Sequence, residues 1–428
     1  MALTIPARLT SLFSVGIRGA GLAMRFLLSF YIIKFLGYEA SGVYGLALGA
    51  IGLTPALIGL GLNYFLARDI VGVDRLESGI RVKTRLTVTT FALIVATALA
   101  GLIAALFHFR VTEVHLLIAA LVWLECYTID LHVSLIAVEL PFEANVLVFV
   151  KLALWVPFAI GLGLAEPAFR TIETIFVSWI ISYGFYAMLL LWSIRGWPLR
   201  QVLEARVERE WVTRRLRESW FIYLSDLGMI GSLYVDRYVV SFLLGLRQTG
   251  LYTFYWSLTN ALQTLVGTAV VQLALPSVYK AYRTGSVSAW SAELRRQIMK
   301  VIGFASGLAV LILIASEIIF RVMTMRELSE HRGVFIMLLA ATITRSTSDV
   351  FNIGLMSIHK DRQYGFTNMA GVILSAGLTY VAVSLFGFSG TALGALLTAM
   401  ILAAVRGSIL WRFAHRPVTA RPATTESI

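Results

Sequence analysis

One cysteine, Cys126, occurs in 428 residues, so intrachain disulfides and cysteine-based metal sites are excluded. It falls in an apolar stretch, where a small buried thiol is the plain expectation. Charge is scarce as well. Charged residues make up 14% of the chain against 58% hydrophobic, with a mean hydropathy of +0.80. A soluble domain of this length is not built that way; the composition implies a polytopic helical membrane protein. No G-x4-G-K-[ST] run is present, so ATP hydrolysis by this chain is not expected. Gly59-Leu60-Gly61 and Gly161-Leu162-Gly163 lie inside apolar windows and are read as helix-packing glycines. No H-E-x-x-H or Ser/His/Asp arrangement is visible, and no soluble region is long enough to host one. The expectation is a protein that is not an enzyme and needs no metal or cofactor. A signal peptide is not expected either, because Thr4-Ile5-Pro6-Ala7-Arg8 leads straight into a segment too long for one.

What is abundant is long apolar sequence. Windows of about 18 residues or more, each enough to cross about 30 Å of hydrocarbon, fall at 11–36, 43–66, 86–107, 116–138, 144–164 and 172–194. Six more fall at 220–244, 251–275, 301–320, 334–358, 369–386 and 388–410. The expected fold is therefore all-α, with twelve transmembrane helices in two six-helix bundles. The expected divisions are 1–194, a linker at 195–219, 220–413 and a tail at 414–428.

The net charge of +12 does not point to nucleic acid. Lys and Arg concentrate in alternate loops, as Arg68, Arg75, Arg81 and Lys83 and then Arg195 to Arg217 show. That bias places both termini in the cytoplasm. Outer loops are short. The linker mixes Glu204, Glu208, Glu210 and Glu218 with its arginines. Trp211, Val212 and Leu216 recur there at helical spacing, predicting an amphipathic helix on the inner leaflet, either a plain connector or a lipid-binding one.

A short pattern occurs twice. Leu36-Gly37-x4-Gly42-x-Tyr44 returns as Leu244-Gly245-x4-Gly250-x-Tyr252, about half a chain later, each time joining the end of one apolar window to the start of the next. Weak repeats of this kind mark many two-halved transporters. Both copies are expected at the outer ends of the first and seventh helices, facing each other across a cavity.

Ionisable residues at membrane depth are costly and are functional candidates by default. Arg18 and Arg25 are seven apart on one face of the first helix, and two guanidinium forks suit a phosphate-bearing substrate. Pairing to acids on other helices is the alternative. Asp226 occupies the repeat position of Arg18, so the two are candidates for a pair that forms in one transport state only. Asp236 and Arg237 are adjacent, either part of that switch or a structural element near an outer gate. Arg345 and Asp349 are four apart and can neutralise each other. Glu125 and His132 share a face of the fourth helix, with Asp130 to one side. They suit a proton relay or, alternatively, ordinary buried pairing. Lys151 and Arg406 are expected to snorkel from helix ends. The aromatics Tyr223, Tyr234, Tyr238, Tyr252, Phe254, Tyr255 and Trp256 cluster at the start of the second half, as an interfacial belt or a sugar-stacking path.

With these residues in view, Leu36-Gly37-Tyr38-Glu39-Ala40-Ser41-Gly42-Val43-Tyr44, then Leu60-Gly61-Leu62 and Leu66-Ala67-Arg68, resemble the polysaccharide transporter family. Val235-Asp236-Arg237-Tyr238 through Gly250-Leu251-Tyr252 does so too. That family, which includes the O-antigen and capsule flippases, belongs to the multidrug/oligosaccharidyl-lipid/polysaccharide exporter superfamily. The resemblance implies a flippase moving polyprenyl-pyrophosphate-linked oligosaccharide across the cytoplasmic membrane, with two bundles rocking about a central cationic cavity. It implies that Arg18 and Arg25 bind pyrophosphate, with Arg237 and Arg345 in support. Asp226, Asp236 and Asp349 would then balance charge or switch between states. Expected partners are the lipid-linked glycan, membrane lipids, polysaccharide assembly proteins and a coupling proton or sodium ion, with no nucleic acid. The rival readings are an ion-coupled multidrug exporter, which needs acids facing a cationic substrate, and a membrane-embedded polysaccharide polymerase or ligase, which needs a large outer loop that this chain lacks.

Overall fold

The computed structural model describes residues 7–284, 286–322 and 326–415; the side chains of 7–15, Arg18, Thr284 and Val322 are outside the described set. Among the described residues every regular element is a helix. Eleven helical stretches are long and apolar enough to cross a membrane. One of them, Arg209–Arg283, holds 75 residues, far beyond one crossing, and the backbone leaves helical geometry at Gly245 (φ 80°, ψ 177°). It therefore supplies two spans, giving twelve among the described residues. The chain is an all-helical, multi-pass membrane protein.

In chain order the elements are α1 (Ala7–Tyr31), α2 (Tyr38–Gly59), α3 (Leu62–Ile70), α4 (Arg75–Leu106), α5 (Glu113–Ala137), α6 (Pro141–Phe149), α7 (Val156–Ala165) and α8 (Ile172–Ser193). Then follow α9 (Leu199–Glu204), α10 (Arg209–Val266), α11 (Gln272–Thr284), α12 (Val287–Val322), α13 (Arg326–Glu330), α14 (Arg332–Ser357), α15 (Asp361–Phe386) and α16 (Ser389–Ala414). Ends are set by local chemistry. The Asp74 carboxylate accepts from the Glu77 N–H at 2.8 Å to start α4, and Pro141 occupies the first turn of α6, where its missing N–H costs nothing. π-helical turns interrupt three spans, at Ile32–Leu36, Val150–Leu154 and Gly267–Val271.

Gly59-Leu60-Gly61 does not lie inside a helix as expected. Leu60 (φ 52°) and Gly61 (φ 68°) are both left-handed and break the second window into α2 and α3. Gly61 remains a close-packing position, because a Cβ there would stand 3.0 Å from the Ser219 carbonyl oxygen.

The chain forms two compact units. One comprises residues 1–237 and 245–254; the other comprises 238–244 and 255–428. The first has a core around Leu28, Tyr31, Ile32, Leu121 and Phe176, with Trp155 stacked on Trp179 at 5.5 Å. In the second, Tyr255 stacks on Phe335 at 5.3 Å, and Gly390 and Gly394 let α16 lie directly on the backbone of α15.

Residues 245–254 belong to the first unit because the two repeat copies touch. At the repeat copies themselves the two segments are in direct contact rather than separated by open space. A Cβ at Gly42 would collide with the Leu246 carbonyl, and one at Gly250 would collide with the Tyr38 carbonyl. The repeat equates Gly42 with Gly250 and Tyr38 with Leu246, so the contact is reciprocal, like a self-complementary two-fold interface. Ser41 adds a hydrogen bond to the Gly250 carbonyl at 3.1 Å.

The linker is not one amphipathic helix. α9 ends at Glu204, Ala205 is in extended backbone, and helix resumes at Arg209. Trp211 faces inward. It packs with Leu66 and Ile70, and its Nε1 donates to Asp69 Oδ2 at 2.8 Å.

Candidate functional site

Charges at membrane depth in the first unit fall into separate clusters. Lys151 sits in the π-helical turn after α6 and is only 4% exposed, so it does not snorkel. Its ammonium donates to both Glu125 carboxylate oxygens and to Thr128 Oγ1, each at 2.9 Å. All three of its donors are thus used. The Tyr183 hydroxyl also donates to Glu125 Oε2, at 2.6 Å. These bonds hold Glu125 between Lys151 and Tyr183.

One turn on, the Asp130 carboxylate binds Arg85 at 3.1 Å and Thr89 Oγ1 at 2.5 Å. Arg85 is 1% exposed, and its Nε donates to Asn63 Oδ1 at 2.9 Å. Removing one partner of an ion pair so deeply buried strongly destabilises the fold, because it leaves an uncompensated charge.

Arg237, at 0% exposure, lies 4.9 Å from the Tyr234 ring and points one nitrogen at the Gly45 carbonyl, 3.5 Å away. Asp236 accepts from the Arg237 backbone N–H at 2.8 Å and from the Tyr252 hydroxyl.

Arg25 is different. It is half-buried on α1, and among the described residues its guanidinium makes no hydrogen bond or ion pair. Its charge reaches Tyr44, Glu125 and Tyr183, and that of Arg237 also reaches Tyr44. Asp226 likewise makes no hydrogen bond or ion pair among the described residues. The side chain of Arg18 is outside the described residues, and with it the expected Arg18–Asp226 exchange.

In the second unit Arg406 is 5% exposed and does not snorkel either. It donates to Ser348 Oγ at 2.7 Å, Asn368 Oδ1 at 2.8 Å and Thr367 Oγ1 at 3.3 Å. Asp349 lies within electrostatic reach of both Arg345 and Arg406 and takes a hydrogen bond from Gln263.

Sequence reasoning missed Arg85 and undervalued Lys151 and Arg406. For Arg85 the usable signal was Thr89 one turn later: α4 begins at Arg75, so Arg85 is already deep in the helix. For Lys151 it was the eighth position of its apolar window, too deep for its side chain to reach water.

No protein-family model matches the chain, and no curated protein matches it in sequence. Solved structures do match. A multidrug resistance transporter of the MATE family, of the MOP superfamily, in an inward-facing conformation, aligns with a TM-score of 0.74 at 15% identity, over 92% of this chain and 94% of that one. The lipid II flippase MurJ, in an inward closed conformation, aligns at 0.68 with 12% identity, over 96% and 89%. An outward-facing MATE transporter aligns at 0.56 with 14% identity, over 92% and 93%. These neighbours are transporters and a flippase rather than enzymes, and the chain shares their fold.

Proposed function

We propose that the protein is a flippase for polyprenyl-pyrophosphate-linked oligosaccharide, the repeat unit of O-antigen, capsule or exopolysaccharide. It works by alternating access in a cytoplasmic membrane, with both termini inside. The observation that carries this reading is Arg25, a half-buried cation without a carboxylate partner among the described residues. A lone arginine at membrane depth costs about 2.5–3.5 kcal/mol on insertion scales, which a bound anion offsets. Pyrophosphate oxygens match the guanidinium fork. Glu125, Asp130 and Asp236 are bound by Lys151, Arg85 and Tyr252 rather than by Arg25. Arg18 joins Arg25 in binding the pyrophosphate, Arg237 and Arg345 act as supporting cations, and Asp226 and Asp349 balance charge or couple a proton or sodium ion. The fold shared with a lipid II flippase supports the substrate class.

Replacing Arg25 with Ala should abolish glycan export and make lipid-linked glycan accumulate at the inner leaflet, while the folded protein stays in the membrane. Normal export in that variant sinks the assignment. Asp226 favours a second reading, an ion-coupled exporter of organic cations, because it is an acid without a hydrogen bond or ion pair among the described residues. Cation efflux lost on Asp226→Asn, with surface glycan unchanged, selects that reading instead.

A further inference from the structure

We propose that the segment joining the sixth and seventh spans builds a binding site for the phosphate headgroup of an anionic lipid, formed by Arg81, Arg206, Arg209 and Arg214. These four arginines line a cleft of about 950 Å³ between α4 and residues 206–214.

The frame of the cleft is fixed. Lys83 donates to the carbonyls of Leu203, at 3.0 Å, and Ala205, and the Glu208 N–H donates to Thr84 Oγ1 at 3.2 Å. Asp69 ties the far side by taking two bonds from Arg215, at 2.9 and 2.8 Å. Arg81 is anchored by the Asp69 carbonyl and by Glu77, and approaches Glu208 at 3.9 Å.

The guanidinium groups of Arg206, Arg209 and Arg214 are in contrast exposed, and make no hydrogen bond or ion pair among the described residues. Glu208 and Glu210 are the acids of the cleft, two against four arginines. Neighbouring cations held in a fixed frame repel one another unless an anion sits between them, and planar guanidinium forks match phosphate oxygens.

The surroundings select a lipid rather than a soluble anion. Leu203, beside the cleft, is 73% exposed, and Trp220, further along the helix that carries Arg209 and Arg214, is 61% exposed. Large apolar side chains next to unpaired arginines at the foot of a span make an element that lies in the membrane interface. Basic clusters in that position recognise anionic headgroups. The site is separate from the Arg25 region, and its failure leaves the transport reading untouched.

The test is native mass spectrometry of the full-length protein released from nanodiscs of equal phosphatidylglycerol and phosphatidylcholine. Wild type retains phosphatidylglycerol, and the triple variant Arg206→Gln/Arg209→Gln/Arg214→Gln retains at least about tenfold less. A control that removes as much exposed charge elsewhere, Arg283→Gln/Lys300→Gln/Arg412→Gln, retains as much as wild type. Equal retention by wild type and the triple variant, or an equal loss in the control, overturns the proposal. Inorganic diphosphate added to the detergent-solubilised protein serves as the soluble probe. If it displaces the retained lipid at micromolar concentration, the site belongs to a soluble anion and the lipid assignment falls. Should the triple variant melt early, the Arg206→Lys/Arg209→Lys/Arg214→Lys form carries the test. It keeps the charge but loses the fork, and must retain less lipid than wild type.

Discussion

The two copies of Leu-Gly-x4-Gly-x-Tyr share a backbone and differ in what their tyrosines meet. Gly37 (φ 91°, ψ 177°) and Gly245 (φ 80°, ψ 177°) make the same turn. Gly42 and Gly250 make the same close approach to the opposite copy. Tyr252, however, donates to Asp236, whereas the hydroxyl of Tyr44 has no hydrogen-bond partner among the described residues and stands in the fields of Arg25 and Arg237. The glycines are shared because each copy is the other's packing surface, so a change in one must be tolerated by both. The tyrosines carry no such mutual constraint, and the charged residues before them have diverged: Leu28-Ser29 in the first copy stands where Asp236-Arg237 stands in the second.

The harshest way to break this comparison is to add one carbon to the seam. A Cβ at Gly42 meets the Leu246 carbonyl, and one at Gly250 meets the Tyr38 carbonyl carbon at 2.7 Å; backbone atoms cannot rotate away. Gly42→Ala and Gly250→Ala should each destabilise by about 3 kcal/mol, as overpacking does. The double variant should cost less than the sum, because the first methyl already parts the helices. Denaturant unfolding of the purified protein measures all three, and strict additivity would show that the two contacts are independent.

A subtler test swaps one pair. Gly45 lies opposite its own repeat partner, Thr253, whose Cβ would be 2.8 Å from a Cβ built on Gly45. Gly45→Thr alone should cost about 2–3 kcal/mol. Adding Thr253→Gly should recover at least about 1 kcal/mol of that, even though glycine itself disfavours a helix by a similar amount. No recovery in the double variant refutes the reciprocal seam.

The repeat shows how far the sequence reaches. Twelve spans were legible because hydrophobic length leaves little freedom in a bilayer. The duplication was legible too, because glycine at matched spacing is visible without knowing what it touches. The contact between the copies was not, since no periodicity says which helix lies against Gly42. The charges were misjudged for a similar reason. Arg406 resembles a snorkelling residue when only its distance to a helix end is counted, and the acceptors of both cations come from other helices: Glu125 and Thr128 for Lys151; Ser348, Thr367 and Asn368 for Arg406. Arg25 and Asp226 stood out in the sequence as charges deep in apolar windows, and that isolation is what the fold preserves.

The smallest effect is the most informative about the divergence of the tyrosines. Tyr252→Phe removes a buried bond to a carboxylate, and should destabilise by about 1.5–3 kcal/mol. Tyr44→Phe removes no hydrogen bond to a described residue, and should change stability by less than about 0.5 kcal/mol. If Tyr44 instead serves the region between Arg25 and Arg237, its loss must appear in glycan export while unfolding stays near wild type. The two phenylalanine variants would then separate cleanly, one failing in stability and the other in transport. Equal losses in unfolding free energy would mean that the tyrosines have not diverged, and that the asymmetry between the copies lies in the arginines alone.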